Sequence, residues 1–229
     1  MSFIIPRKDT NPIAHALIEA FGSLYGVFQA TEEELYSING MTQNAACFIA
    51  DFLPISRKIQ CSCFASQKYV SRLSDAVNVL RPYFYGRNSE FIYCLALDLN
   101  DRLLQICKIS DGEADSVVIN NNKILALVTR TKAKKIILAH NHPAGNIKTS
   151  DSDLQSTRML NVLLAGVNAR LSDHIIFSGD EYFSFYESDL LACFSDDNSH
   201  YANEQRRKKR SEGIYMEDEK PSEETLGEE

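Results

Sequence analysis

The apolar run Lys135-Ile-Ile-Leu-Ala139 ends in His140-Asn-His142, and a carboxylate, Asp153, follows eleven residues after the second histidine. A short continuous apolar run of this kind predicts a strand buried on both faces. Successive side chains on a strand point to opposite faces, so His140 and His142 share one face and can converge on one point. Residues Asp153 to Leu164 read as helical, with Ser150 as a good N-cap. The chain must therefore bring the end of a central strand against the start of a helix, which requires strands and helices in one domain. Two imidazoles and one carboxylate form a normal catalytic zinc set that leaves a fourth position for water. Zinc lowers the pKa of such a water towards neutrality. A His-x-His pair alone is as easily a hydrogen-bonded strand end; Pro143, Ser150 and Asp153 at their spacings sharpen the metal reading.

The rest of the chain divides into three regions. Residues 1–65 read as all-helical: Ile13, Leu17 and Ala20-Phe21 fall at helical spacing, and Thr31 with Glu34 makes a capping box. Ile38-Asn-Gly-Met-Thr42 is a tight turn with Gly40 at the bend, before a periodic run through Ala45, Ile49, Phe52 and Leu53. Residues 66–194 alternate strand and helix patterns. Strands are expected at 91–97 and 103–109, with Asp98–Asp101 as the hairpin turn. Val117–Ile119 is a short strand candidate, 124–131 a helix, and 174–177 and 182–185 are strands about a turn at Gly179-Asp180. Mixed strands and helices of this kind imply an α/β sandwich. Residues 195–229 are polar and charged, with the basic run Arg206–Arg210 before an acidic stretch, and read as disordered.

Charge narrows the function classes. The net charge of −7 comes from 211–229, which hold eight acidic residues and one lysine, so the remainder carries 23 charges of each sign. A balanced body makes no global electrostatic case for nucleic-acid binding. None of the six cysteines forms a CxxC pair; Cys47, Cys94 and Cys107 lie in apolar runs, and all six read as reduced thiols, mostly buried. No segment looks like a signal peptide or approaches the ~20 apolar residues of a membrane span, so a cytoplasmic protein is expected. His15 and His200 belong to no constellation.

The string His-x-His-x7-Ser-x2-Asp resembles the JAMM metal motif of the MPN/JAB family, and His-Asn-His-Pro-x-Gly is similar to its RadC branch. Further likeness lies in Ala20-Phe-Gly-Ser-Leu24 with Ile38–Thr42, which resemble the RadC helix-hairpin-helix domain. Glu90–Asp98 resembles the family's first sheet strand, and Asp173-His-Ile-Ile176, Tyr182 and Ser184 its closing strands. The resemblance implies an MPN-type mixed sheet flanked by helices, preceded by a small all-helical domain. It implies zinc on His140, His142 and Asp153, with Ser150 helping to hold the oxyanion of a tetrahedral intermediate. It also implies a glutamate base at the start of the first strand, where Glu90 stands; a solvated charge is the plainer reading of the same residue. His174 matches the family's Asp-His, with a role beside the metal and a structural one both open, and the structural one favoured. The implied activity is hydrolysis of a peptide or isopeptide bond.

Two departures keep a second reading open. Where RadC-like chains carry His-Pro-Arg-Glu before the metal strand, this chain has Asn120-Asn-Asn-Lys123, and Ala144 replaces the usual serine after Pro143. The alternative is a non-catalytic zinc-containing binding module linked to DNA repair or other DNA transactions. The hairpin itself has Thr42 where DNA-binding versions place a second glycine, and no lysine follows closely, so DNA binding through it is expected to be weak or absent. A zinc nucleobase deaminase would need His-x-Glu and Pro-Cys-x-x-Cys, and neither is present. An HNH nuclease would spread its three letters over a ββα unit, whereas here they are contiguous.

Overall fold

The computed structural model describes residues 9–64, 67–111, 119–143 and 145–194. It opens with four helices: α1 (Asn11–Phe21), α2 (Leu24–Gln29), α3 (Glu32–Tyr36) and α4 (Gln43–Cys63). Thr31 caps α3 in the expected box, its hydroxyl accepting from Glu34 N–H while Glu34 accepts from Thr31 N–H. Gly40 takes φ 87° in the turn that leads to α4, a backbone region that suits glycine. Ile13, Leu17, Val27, Leu35, Ala45 and Ile49 form the helical core. Phe52 departs from expectation: it lies on the outer side of α4, 43% exposed, against the ring of Phe28 at 4.6 Å. Arg57 of α4 donates to Tyr85 O (3.0 Å) and Gly86 O (3.2 Å), in the connection that leads into the sheet.

Next come α5 (Leu73–Phe84), β1 (Phe91–Leu97), β2 (Leu103–Asp111), α6 (Asn121–Thr131), β3 (Lys135–Asn141), α7 (Asp151–Gly166), β4 (Arg170–Ser178) and β5 (Glu181–Ser184). The five strands form one mixed sheet in the order β2-β1-β3-β4-β5. β3 is antiparallel to β1 and parallel to β4. A parallel neighbour requires a crossover, and α7 supplies it. β3 is buried along its whole length because helices cover both faces. Cys94, Ile136, Leu138 and Ile176 pack with Leu127 of α6 and Leu160 of α7. On the other face, Tyr93, Leu95, Ile137 and Phe177 pack with Leu80 and Phe84 of α5. This is the α/β architecture expected, with helices on both sides of the sheet.

Several local expectations change. α5 was not anticipated, although Ala76, Leu80 and Phe84 repeat every four residues; Pro82 in its last turn breaks up the signal. β4 runs longer than predicted, from Arg170. Of the strand candidate 117–119, only Ile119 is described, and it is not in a strand. All six cysteines are free thiols, but among them only Cys94 is buried; Cys47 is exposed on α4 near Asp51. Ala144 and the tail from 195 on, with its basic run, lie outside the described residues. Among the described residues no helix is long and apolar enough to cross a membrane.

Candidate metal centre

β3 sets the position of the histidines. His140 pairs with Ile92 of β1 and Ile176 of β4 at the C-terminal end of the sheet. His142 lies one residue beyond the strand, but its N–H still donates to Phe177 O at 2.8 Å, so the ladder geometry extends to it. The two rings consequently share a face, and their Nε2 atoms lie 2.9 Å apart. The start of α7 delivers the carboxylate. Ser150 caps the helix by accepting from Asp153 N–H (3.1 Å), while Ser150 N–H and its hydroxyl donate to Asp153 Oδ2 at 2.8 and 2.7 Å. This capping box fixes the carboxyl so that Oδ1 stands 3.2 Å from His140 Nε2 and Oδ2 3.6 Å from His142 Nε2.

These three side chains form a group that can hold a metal ion. Donors bound about 2.0–2.2 Å from one tetrahedral ion lie about 3.3–3.6 Å apart. The separations of 2.9, 3.2 and 3.6 Å are close to that spacing, and both imidazoles present the same nitrogen. The tautomer of His142 follows from its other contact. Nδ1 lies 2.6 Å from Asn146 O, and a carbonyl only accepts, so Nδ1 carries the hydrogen and neutral His142 has its lone pair on Nε2.

The charges are consistent with a site built for a cation. Burial pushes Asp153 up, but hydrogen bonds with His140 and His142, and then Ser150, outweigh it and hold the carboxyl far below the usual range. The hydrogen bond to Asp153 raises His142 against an opposing effect of burial, with smaller upward contributions from Asn146 O and the charge of Glu90.

Glu90 is half-buried just before β1. No close contact joins it to the three donors; its charge reaches His142 at longer range. Asn141, between the two histidines, pins the segment that carries it. Its Oδ1 accepts from Phe91 N–H (2.9 Å) and its Nδ2 donates to Ser89 O (3.0 Å), one residue to either side of Glu90. Ser150 is exposed at the mouth of the site. Asn120 and Lys123 are a capped helix start, with Asn120 Oδ1 accepting from Lys123 N–H at 3.0 Å.

His174 and Asp173 separate in role. Asp173 accepts from His174 N–H (2.7 Å), Tyr186 N–H (3.0 Å) and Ser184 Oγ (2.7 Å), tying β4 to β5 and the turn beyond. Burial raises its carboxyl, and these hydrogen bonds oppose the rise. His174 turns the other way and meets His140 directly, Nε2 to Nδ1 at 2.8 Å, with its own Nδ1 2.6 Å from Thr157 Oγ1. These hydrogen bonds fit the favoured structural reading of His174, and the one to His140 also sets the ring beside the donor group. Burial lowers His174 well below the ordinary histidine value and leaves the ring neutral. Sequence reasoning missed Thr157, Asn141 and Asn146. A usable signal existed for Thr157, which stands one helical turn after Asp153.

A five-stranded mixed sheet flanked by helices, with a His-His-Asp group at the end of its central strand, defines an MPN-type domain. Residues 70–190 match the RadC-like JAB domain family. A UPF0758 protein of Fusobacterium nucleatum is 31% identical over 198 residues, covering 83% of this chain and 85% of its own length. A UPF0758 protein of Coprothermobacter proteolyticus is 28% identical, covering 81% of this chain and 80% of its own. One of Burkholderia thailandensis is 26% identical, covering 80% and 70%. The chain belongs to the RadC family.

Proposed function

We propose that this protein is a zinc-dependent hydrolase of the JAMM type, acting on a peptide or isopeptide bond. The observation that carries this reading is the convergence of His140 Nε2, His142 Nε2 and the Asp153 carboxylate at 2.9–3.6 Å. Two imidazoles and one carboxylate suit zinc, and three protein donors are the number found in catalytic rather than structural sites. His174 adds no fourth donor, because both its ring nitrogens are engaged. The side chains of His142 and Asp153 keep 14% and 17% exposure while that of His140 keeps 6%, so solvent reaches the group from the His142 side.

When bound, zinc supplies Lewis-acid chemistry and makes water a nucleophile near neutral pH. The chain's own residues supply the rest. Strand alternation from Ile92, which pairs with His140, sets Glu90 on the face of the two histidines. There the Glu90 carboxylate takes the proton from the attacking water and returns it to the leaving amine. Ser150 stands at the exposed side of Asp153, and its one hydroxyl proton, held by Asp153 Oδ2, would have to turn from that carboxylate to reach the developing oxyanion.

Elemental analysis tests the basis of this reading. About one zinc per chain is expected in the purified protein and none in His142→Ala. No zinc in protein purified without chelator, and none after zinc is added back, would sink the proposal.

The raised His142 gives a second prediction. A proton on that ring must leave before Nε2 can bind a metal ion, whereas Asp153 is ionised throughout the neutral range. Zinc affinity should rise about tenfold per pH unit below the His142 value, which lies above the ordinary ~6.5, and level off beyond it. Chelator competition between about pH 5.5 and 8.5 measures this. A profile that is flat across that range rules His142 out as a ligand.

A further inference from the structure

We infer that Thr157 and His174 form a proton-ordered relay that fixes which nitrogen of His140 faces the metal ion, and that both are positioning residues of the site. The inference rests on the metal-binding reading of His140, His142 and Asp153. It addresses a problem that the geometry poses. A metal-bound histidine usually donates its second N–H to a carboxylate or a carbonyl, groups that only accept and so leave one tautomer. His140 instead meets another imidazole at 2.8 Å. A neutral imidazole accepts at one nitrogen and donates at the other, so this contact alone permits either proton order.

Thr157 removes the ambiguity. Its Oγ1 lies 2.5 Å from the backbone oxygen of Asp153 and 2.6 Å from His174 Nδ1. The carbonyl can only accept, so the single hydroxyl proton goes to Asp153 O. That leaves Oγ1 as an acceptor towards His174, whose Nδ1 must donate. The ring is 1% exposed, stacks on Phe185 and meets a hydroxyl and an imidazole, not a carboxylate, at its two nitrogens; a charge there would be buried and unpaired, so the ring is neutral and its Nε2 accepts. His140 Nδ1 must then donate to it. The lone pair of His140 is left on Nε2, the atom 3.2 Å from Asp153 Oδ1 and 2.9 Å from His142 Nε2.

The reverse order would put a hydrogen on His140 Nε2, pointing into the donor group. The relay is also a closed circuit. It starts at the backbone of Asp153, passes through Thr157, His174 and His140, and returns to the Asp153 carboxylate. One helical turn thus both presents the carboxylate and orders the proton on the facing histidine. Every member is enclosed: Thr157 is fully buried, and His174, 1% exposed, stacks on Phe185 at 4.7 Å. The threonine hydroxyl, the group at His174 Nδ1, sets the direction.

The test compares Thr157→Val, which keeps the shape but loses the hydroxyl, with Thr157→Ser, which keeps the hydroxyl. Thr157→Ala gives a second hydroxyl-free variant should valine disturb the helix. Two quantities are read: the zinc dissociation constant by chelator competition, and the His140 ring tautomer by 15N NMR on chelator-treated protein. Thermal unfolding of the same samples checks the fold. Loss of the hydroxyl is expected to weaken zinc binding about 10–100-fold and to mix the His140 tautomers, while serine restores both. Unchanged zinc affinity and an unchanged tautomer in the hydroxyl-free variants overturn the relay. So does a serine variant as weak as valine, which would trace the effect to the lost methyl. The NMR readout needs no zinc. If the unsubstituted protein binds none, the proposed function fails while the tautomer comparison still decides the relay.

Discussion

Glu90→Gln is expected to remove hydrolysis and leave zinc in place. Positioned general bases contribute about 10²–10⁴-fold, and the turnover of the variant should fall by that range. The amide has the size and hydrogen-bonding reach of the carboxylate but does not accept a proton from water at neutral pH. Ile92 sits opposite His140 in the β1–β3 ladder, and alternation continued two residues back, to just before β1, gives Glu90 the same face. Asn141 holds the backbone on both sides of it. Single-turnover rates on a peptide or isopeptide substrate, with zinc content measured on the same sample, check the claim. A variant with full zinc and an unchanged rate removes Glu90 from the mechanism. A variant that loses its zinc makes Glu90 part of the metal site instead.

Asp153→Asn is the second large effect expected. The amide oxygen can still accept from Ser150 N–H, so α7 keeps its start. What disappears is the negative charge. Losing an outer partner of a metal ligand costs about 10–100-fold in affinity, and loss of the ligand charge itself should exceed the upper end of that range. His142 should change as well. Its hydrogen bond with Asp153 is the largest cause of its rise, so in the variant it should titrate nearer the ordinary ~6.5. NMR titration of chelator-treated protein reads this directly. An unmoved His142 would show that Asp153 is not what raises it.

The parts of the site that could be read in the sequence are those governed by local rules. Strand alternation placed His140 and His142 on one face, and the N-cap at Ser150 put Asp153 at the start of a helix, because both rules act within a few residues. The sheet was legible where apolar runs were continuous, as at 91–97 and 135–141. What was hidden depends on distance in the chain. Asn141 acts on backbone groups at 89 and 91, and no pattern around 141 announces that. Thr157 can be placed one helical turn after Asp153, but its contact with His174 is made only when β4 brings that ring against it. α5 was masked by Pro82, and the outward placement of Phe52 depends on how α2 packs against α4. Exposure of Cys47 could not be foreseen, because apolar neighbours in sequence need not share a helix face.

The three donor residues lie within one stretch, 140–153, whereas Glu90 stands just before β1, fifty positions ahead of His140, in a segment that Asn141 holds on both sides. On the proposed function, holding the ion and using it are therefore recorded in different places in the gene. A descendant that changes only the start of β1 inherits an intact metal-bearing domain with the chemistry switched off. A descendant with the stretch 140–153 altered loses both at once. Change at the start of β1 thus leaves the metal while silencing the chemistry, and no loss of a donor within 140–153 can do the same.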